Sequence, residues 1–297
     1  MSLSINDAAQ RIRTGELVAF PTETVYGLGA NALDAAAVQK IFDIKERPAT
    51  SPLIVHVSSI EMAKEIVAEW PPLSDQLARR WWPGPLTLVL RKLDKCPPNV
   101  TAGLPTVGVR MPNHPIALAL IAEAGVPIAA PSANRFTGIS PTTADHVRAA
   151  FGDAVPVLDG GPCAVGIEST VVSVEGNKLT LLRPGMISLG DIEQAAAEAG
   201  TSHPSPGMHH RHYSPRTPLL LVDRSPGPEG AYMWRTSEGV AARCVRMPDE
   251  PNQYAAQFYR VLHELDPEGW PWIAVETPPD TPEWAAILDR LRRAAGK

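Results

Sequence analysis

Six short clusters carry the residue types that could do chemistry. In the first, Phe20-Pro21-Thr22-Glu23-Thr24-Val25-Tyr26-Gly27-Leu28-Gly29, hydroxyl side chains and two glycines follow a strand end. Open α/β sheets bind ligands at strand ends, and glycine permits close backbone approach or a positive φ. The stretch therefore reads equally well as a ligand loop or as a tight strand-to-helix turn. In the second, Lys45-Glu46-Arg47-Pro48 precedes Ser51-Pro52-Leu53. Arg47 suits bidentate grip of a phosphate or carboxylate, with Lys45 as a point charge, although a solvated loop is the usual fate of such a triplet. The third is His56 between Val55 and Val57. On an alternating strand it faces away from both valines, as a core histidine or a ligand. The fourth, Pro131-Ser132-Ala133-Asn134 with Ser140 beyond, also follows a strand and suits a phosphate or ribose, or simply a cap and turn. The fifth is Arg110, a strand-terminal arginine and natural carboxylate anchor. The sixth is Glu168-Ser169-Thr170, followed after the next strand by Arg183-Pro184-Gly185.

Absent motifs narrow the chemistry. No G-x-x-x-x-G-K-[ST] loop is present, Gly27-Leu28-Gly29 is only a fragment of a dinucleotide fingerprint, and there is no G-x-S-x-G elbow. His209, His210 and His212 invite a zinc reading, but their spacing is wrong for a finger and no carboxylate or cysteine lies near them in sequence.

Alternating short strands and helices must position these clusters. Residues 17–20, 53–57, 86–90, 107–110, 127–130, 170–174 and 179–182 read as strands. Asp34, Ser59, and Ser188 with Asp191 read as helix caps between them. The rhythm predicts an α/β sheet domain, mixed because some connections are hairpin-short. It breaks at residues 201–218, which are rich in Pro, Ser and His and read as a linker. Beyond it, apolar runs at 219–222 and 272–275, a helix at 253–265 and a final helix capped by Thr281 with Pro282 make a smaller α/β unit. Expected units are therefore 1–200, a linker at 201–218, and 219–297.

The 297 residues, 44% hydrophobic and 20% charged, suffice for such cores and exclude a disordered tail, a coiled coil or a collagen-like chain. A net charge of −5 argues against non-specific coating of nucleic acid. Cys96, Cys163 and Cys244 form no disulfide framework. Neither a leader nor an apolar run of membrane-spanning length is evident, so the chain reads as a soluble cytoplasmic protein.

In their order, P-T-E-T-V-Y-G-L-G, K-x-R-P, P-L-I-V-H-V, P-S-A-N, E-S-T-V-V and R-P-G resemble the YrdC/Sua5 family over about residues 5–200. The H-R-H-Y-S-P string at His210–Pro215 and the tail beyond resemble its long, two-domain Sua5 type. The resemblance implies a twisted mixed-sheet domain followed by a linker and a smaller Rossmann-like domain. It implies that L-threonine, bicarbonate or CO2, and ATP yield L-threonylcarbamoyl-AMP and pyrophosphate, with Mg²⁺ held chiefly by the ATP phosphates. Partner proteins would then transfer the threonylcarbamoyl group to adenosine 37 of tRNA, and weak tRNA binding is part of this picture.

By that resemblance, Thr24, His56, Arg110, Ala130, Ser169 and Thr170 would hold threonine. Lys45, Arg47, Ser51, Ser132, Asn134, Ser140 and Arg183 would face ATP, with Tyr213 folding over it from a lid-like linker. Ser51 stands where the family usually has Asn, and the C-terminal unit is shorter than usual. No enzyme nucleophile is required. With an acidic chain and anionic substrates, the basic residues are expected to concentrate in the cleft. The alternatives are a nucleotide- or RNA-binding module without turnover, or a related carbamoyl-adenylate-forming enzyme.

Overall fold

The computed structural model describes residues 3–197 and 214–296. The first sheet is built from β1 (Val18–Phe20), β2 (Gly27–Asn31), β3 (Ile54–His56), β4 (Leu86–Arg91), β5 (Thr106–Arg110), β6 (Ile128–Ala129), β7 (Thr170–Glu175) and β8 (Lys178–Arg183). Its spatial order is β1-β2-β6-β3-β5-β4-β7-β8. β3 runs parallel to β5, and β4 to β7; the other neighbours are antiparallel. The helices of this unit are α1 (Ile5–Arg13), α2 (Ala35–Lys45), α3 (Ile60–Lys64), α4 (Pro72–Trp81), α5 (Pro115–Ala124), α6 (Ala144–Phe151) and α7 (Leu189–Ala197).

The cap residues act as the sequence suggests. Asp34 Oδ1 accepts from the amides of Ala36 and Ala37, Ser59 Oγ from Met62, and Ser188 Oγ from Asp191, each satisfying an otherwise orphaned helix N–H. The apolar stripes of α2, α4 and α7 then bury Val38, Ile41, Leu73, Leu77 and Ile192 in one core. α1 and α5 close a second core with Ile12, Leu120 and Ile121 against Phe20 and Ile128.

Gly27 and Gly29 differ from the expected turn: both lie within β2, paired to Phe20 and Val18. Space is the reason for glycine at 29. A Cβ there would lie 2.8 Å from both Ile128 Cγ2 and Phe20 Cε1, closer than packed atoms tolerate.

The second sheet comprises β9 (Leu219–Val222), β10 (Ala231–Trp234), β11 (Arg243–Arg246) and β12 (Ile273–Glu276), all parallel in the order β11-β10-β12-β9. Helices α8 (Pro251–Leu265) and α9 (Ala285–Ala294) pack on it. Pro282 starts a 3-10 turn ahead of α9, and Thr281 makes no side-chain cap. The core of this unit also takes in Val25, Ile139 and Ile167 from the first, so the two units share apolar surface. Gly166 allows the closest approach. With φ +79°, it sits where a Cβ would lie 2.5 Å from Ala255 O, which only glycine accommodates.

At the same boundary the rings of His146 (α6) and His263 (α8) stack, with centroids 3.8 Å apart. Burial, then the neighbouring His263, pushes His146 down to about 4; burial also lowers His263. Burial, then Arg110, brings His56 to about 3. An unfolded histidine titrates near 6.5. Between about pH 4 and 6.5 the unfolded chain therefore binds more protons, so stability is full above 6.5 and falls as pH drops. The expected loss is at most about 1.4 kcal/mol per pH unit for each histidine. Denaturant unfolding at stepped pH checks it, and His146→Phe should flatten the slope.

Candidate active site

The site begins with sheet register. His56 ends β3 and pairs with Arg110, which ends β5. Two parallel strand ends thus deliver an imidazole and a guanidinium side by side. The loop between β1 and β2 adds Thr24, whose Oγ1 accepts from Arg110 Nη1 at 2.9 Å. Thr22 fixes that loop: its hydroxyl shares a hydrogen bond with Thr24 Oγ1 and donates to Val25 O. Arg110 Nε donates to Gly84 O, and Nη2 lies 2.6 Å from Glu23 Oε1 in a buried ion pair. His56 Nδ1 makes no hydrogen bond within the protein. A buried imidazole nitrogen thus remains open to a polar ligand at the strand ends, beside the ion-paired guanidinium of Arg110.

Arg47 enters from the other side. Helix α2 ends at Glu46 in the left-handed region, φ 54°, a turn that stops the helix and redirects the chain. Arg47 then donates to Pro52 O at 3.2 Å and lies over the Phe136 ring. From β7 and β8 come Ser169 and Arg183: Arg183 Nε and Nη2 donate to Ser169 O, and Nη2 also to Ser169 Oγ.

These elements enclose a cleft of about 640 Å³, its open mouth included. Among the described residues its lining carries the guanidiniums of Arg47, Arg110 and Arg183 against the carboxylate of Glu168. A chain of net negative charge therefore presents a cleft rich in arginine.

Of the residues expected to meet threonine, Thr24, His56, Arg110, Ala130 and Ser169 line this cleft. Thr170 does not; its hydroxyl donates to Ile187 O. Of those expected to face ATP, Arg47, Ser132 and Arg183 line it. Lys45 lies beneath the wall, its Nζ donating to the carbonyls of Ser132 and Asn134. Burial, with Arg47 and Arg135 nearby, holds its pKa well below the lysine range. Asn134 donates to Arg135 O and Gly138 O, Ser140 donates to Glu168 Oε1 at 2.6 Å, and Ser51 contributes backbone to the Arg47 loop. Lys45, Asn134 and Ser140 thus shape the cleft from behind it. Tyr213, His209, His210, His212 and most of the expected linker lie outside the described residues.

The site also holds residues that sequence reasoning did not assign. Thr22, Val25, Gly27, Pro52, Leu53, Ile54, Pro131 and Glu168 line the cleft. Several stood inside the quoted motifs without a role. Glu168 accepts from Ser140, from Tyr259 OH and from Arg290 Nε, the last at 2.7 Å. Burial alone would raise its carboxyl; Arg290, then Arg183, outweigh that and hold it below the usual range.

Fold and cleft define a two-unit α/β protein with an arginine-lined cleft at the strand ends of a mixed sheet. The family model described as "Telomere recombination" (Sua5_yciO_yrdC) matches residues 10–185, and that described as "Threonylcarbamoyl-AMP synthase, C-terminal domain" matches 186–296. The chain is 42% identical to the threonylcarbamoyl-AMP synthase of Bacillus subtilis (strain 168), with 99% of this chain and 95% of that one covered. Against the synthase of Pyrococcus abyssi the identity is 40%, with 98% and 94% covered. The crystal structure of P. abyssi Sua5 complexed with L-threonine matches with a TM-score of 0.88 at 40% identity, covering 98% of this chain and 94% of that one. The chain belongs to the Sua5 family of threonylcarbamoyl-AMP synthases. Its chemistry is that of the family, a transferase reaction that makes threonylcarbamoyl-AMP for tRNA modification. No helix among the described residues is long and apolar enough to cross a membrane.

Proposed function

We propose that the cleft joins L-threonine, bicarbonate and ATP into L-threonylcarbamoyl-AMP and pyrophosphate, with the residues on its wall in distinct roles. The observation that carries this reading is the gathering of Arg47, Arg110 and Arg183 around one cleft, since a carboxylate, bicarbonate and a triphosphate are all anions. The P. abyssi relative crystallised with L-threonine supports threonine as the amino-acid substrate.

Arg110, Thr24 and His56 hold threonine at the ends of β3 and β5. Arg110 takes the carboxylate through its guanidinium, and burial keeps His56 neutral, so the imidazole meets a polar group without adding charge. The threonine amine takes up bicarbonate to give a carbamate and water. A carbamate oxygen then attacks the α-phosphorus of ATP, and the bond to the pyrophosphate oxygen breaks. No side chain is acylated; the protein contributes proximity and charge stabilisation. Arg47, Ser132 and Arg183 face the nucleotide.

Magnesium is assigned to the nucleotide. Among the described residues no three His, Cys, Asp or Glu side chains gather as metal ligands, and Glu168 is already committed to Arg290, Tyr259 and Ser140. In this reading Mg²⁺ arrives on the triphosphate as part of the substrate. Separate proteins then carry the threonylcarbamoyl group to tRNA adenosine 37, in the cytoplasm.

Pyrophosphate release by the purified chain with Mg·ATP and bicarbonate, with and without L-threonine, tests the reading. Release that requires threonine is expected. A folded chain that binds ATP or RNA and releases none with any amino acid is a binding module instead.

A further inference from the structure

Arg290 is the largest fully buried side chain among the described residues, and it comes from the C-terminal unit, on α9. Its guanidinium grips two points of the first unit. Nε donates to Glu168 Oε2 at 2.7 Å, and Nη2 donates to Pro184 O at 3.0 Å. Glu168 immediately precedes Ser169, and Pro184 immediately follows Arg183. One side chain therefore ties together the two segments that carry Ser169 and Arg183 into the cleft. Tyr259, on α8, donates to both oxygens of Glu168 at 3.2–3.3 Å. Asp289 sits against Nη1, so the buried guanidinium is matched by two carboxylates.

The first unit needs such a tie at this place. β8 is the outermost strand of its sheet, paired only to β7. The register between them shifts next to Val171, the partner of Arg183. Bulges interrupt a ladder and bend the strand, so Arg183 stands at the end of an edge strand where the ladder is weakest. It must nevertheless reach Ser169 with both Nε and Nη2.

We propose that Arg290 and Tyr259 are positioning residues for synthesis of threonylcarbamoyl-AMP. Through Glu168 and the Pro184 carbonyl, they hold the Ser169–Arg183 wall against the nucleotide. The C-terminal unit thereby completes the cleft of the first without touching substrate. This rests on the functional reading above, and ATP affinity tests it separately from turnover.

The test is a double-mutant cycle in the full-length chain with Arg183→Met, Arg290→Met and both together. Turnover, KM for each substrate, ATP affinity by calorimetry and thermal unfolding are read on every variant. Each single change should lower kcat/KM for ATP about tenfold. The double variant should lie within about twofold of the worse single, because Arg290 acts through Arg183. A structural role alone would lower the melting temperature and leave kcat/KM and ATP affinity of the folded variant unchanged, or make the two losses multiply; either result overturns the proposal. If Arg290→Met does not fold, Arg290→Lys and Tyr259→Phe decide. Lysine keeps the charge without the two-point grip, and phenylalanine removes one hydroxyl. A folded Arg290→Lys should still lose about tenfold and Tyr259→Phe about threefold, and variants within experimental error of wild type overturn it. The calorimetric cycle stands even if the wild-type chain releases no pyrophosphate, an outcome that would overturn the functional reading alone.

Discussion

Arg110→Ala is expected to remove about 3–5 kcal/mol of stability and to raise the threonine requirement roughly tenfold to a hundredfold, with a much smaller effect on ATP. The stability loss comes from Glu23. Its carboxylate is buried and lies 2.6 Å from Arg110 Nη2; without the guanidinium it is a buried charge with no counter-ion. The substrate loss comes from the donors that Arg110 offers at the end of β5. The two effects separate in Glu23→Gln/Arg110→Met, which removes both charges together. Much of the stability should return, as buried pairs often tolerate joint apolar or neutral replacement, while threonine binding should not. Chemical unfolding with KM for each substrate checks both. Equal increases in the two KM values would contradict the assignment of Arg110 to threonine.

Gly185→Ala is expected to damage both folding and turnover. A Cβ there would lie 2.3 Å from Thr170 N, 2.6 Å from Thr170 Oγ1 and 2.7 Å from the Ser169 carbonyl carbon. Two of these are backbone atoms, at and just before the start of β7, and cannot swing aside. Relief requires moving Ser169 away from Arg183, at a cost of about 3 kcal/mol. A displacement near 1 Å at such a wall lowers turnover about a hundredfold. Gly190→Ala in α7 is the control: a Cβ there meets only Ser188 Oγ at 3.8 Å, and alanine in a helix gains about 0.5–1 kcal/mol over glycine. Thermal unfolding and turnover of both variants decide; a normal Gly185→Ala would mean that this wall yields freely.

The parts of the fold that follow from local chemistry were legible in the sequence. Asp34, Ser59 and Ser188 announce their helices because a side-chain cap is a local bond. The strands ending at His56 and Arg110 stand out as β-branched runs. Other elements leave no such mark. Helix α5, Pro-Ile-Ala-Leu-Ala-Leu-Ile-Ala-Glu-Ala, is apolar around most of its circumference and lacks the one-sided stripe that identifies a surface helix. The four-residue strands β10 and β11 are too short for periodicity to declare. β2 reads as a turn because its two glycines signal one; the cause of Gly29, a clash with Phe20 and Ile128, exists only once the strands pair.

The same division holds at the site. The sequence indicates which side chains can bind anions, and the structure decides which of them reach the cleft. Lys45 points into backbone carbonyls and Ser140 into Glu168, orientations that residue type does not specify. Arg290 was least legible of all. It lies between Asp289 and the pair Arg292 and Arg293, a setting that reads as a solvated helix face, and only the docking of α9 against Glu168 buries it.

The most direct test of the central claim follows carbon from bicarbonate into the nucleotide. The purified chain is given Mg·ATP, L-threonine and carbon-13 bicarbonate, and the adenylate is read by mass spectrometry beside the pyrophosphate released. Labelled threonylcarbamoyl-AMP that forms in step with pyrophosphate, and only with threonine present, is the predicted result. Pyrophosphate without threonine, or an adenylate that carries no label, would contradict the account.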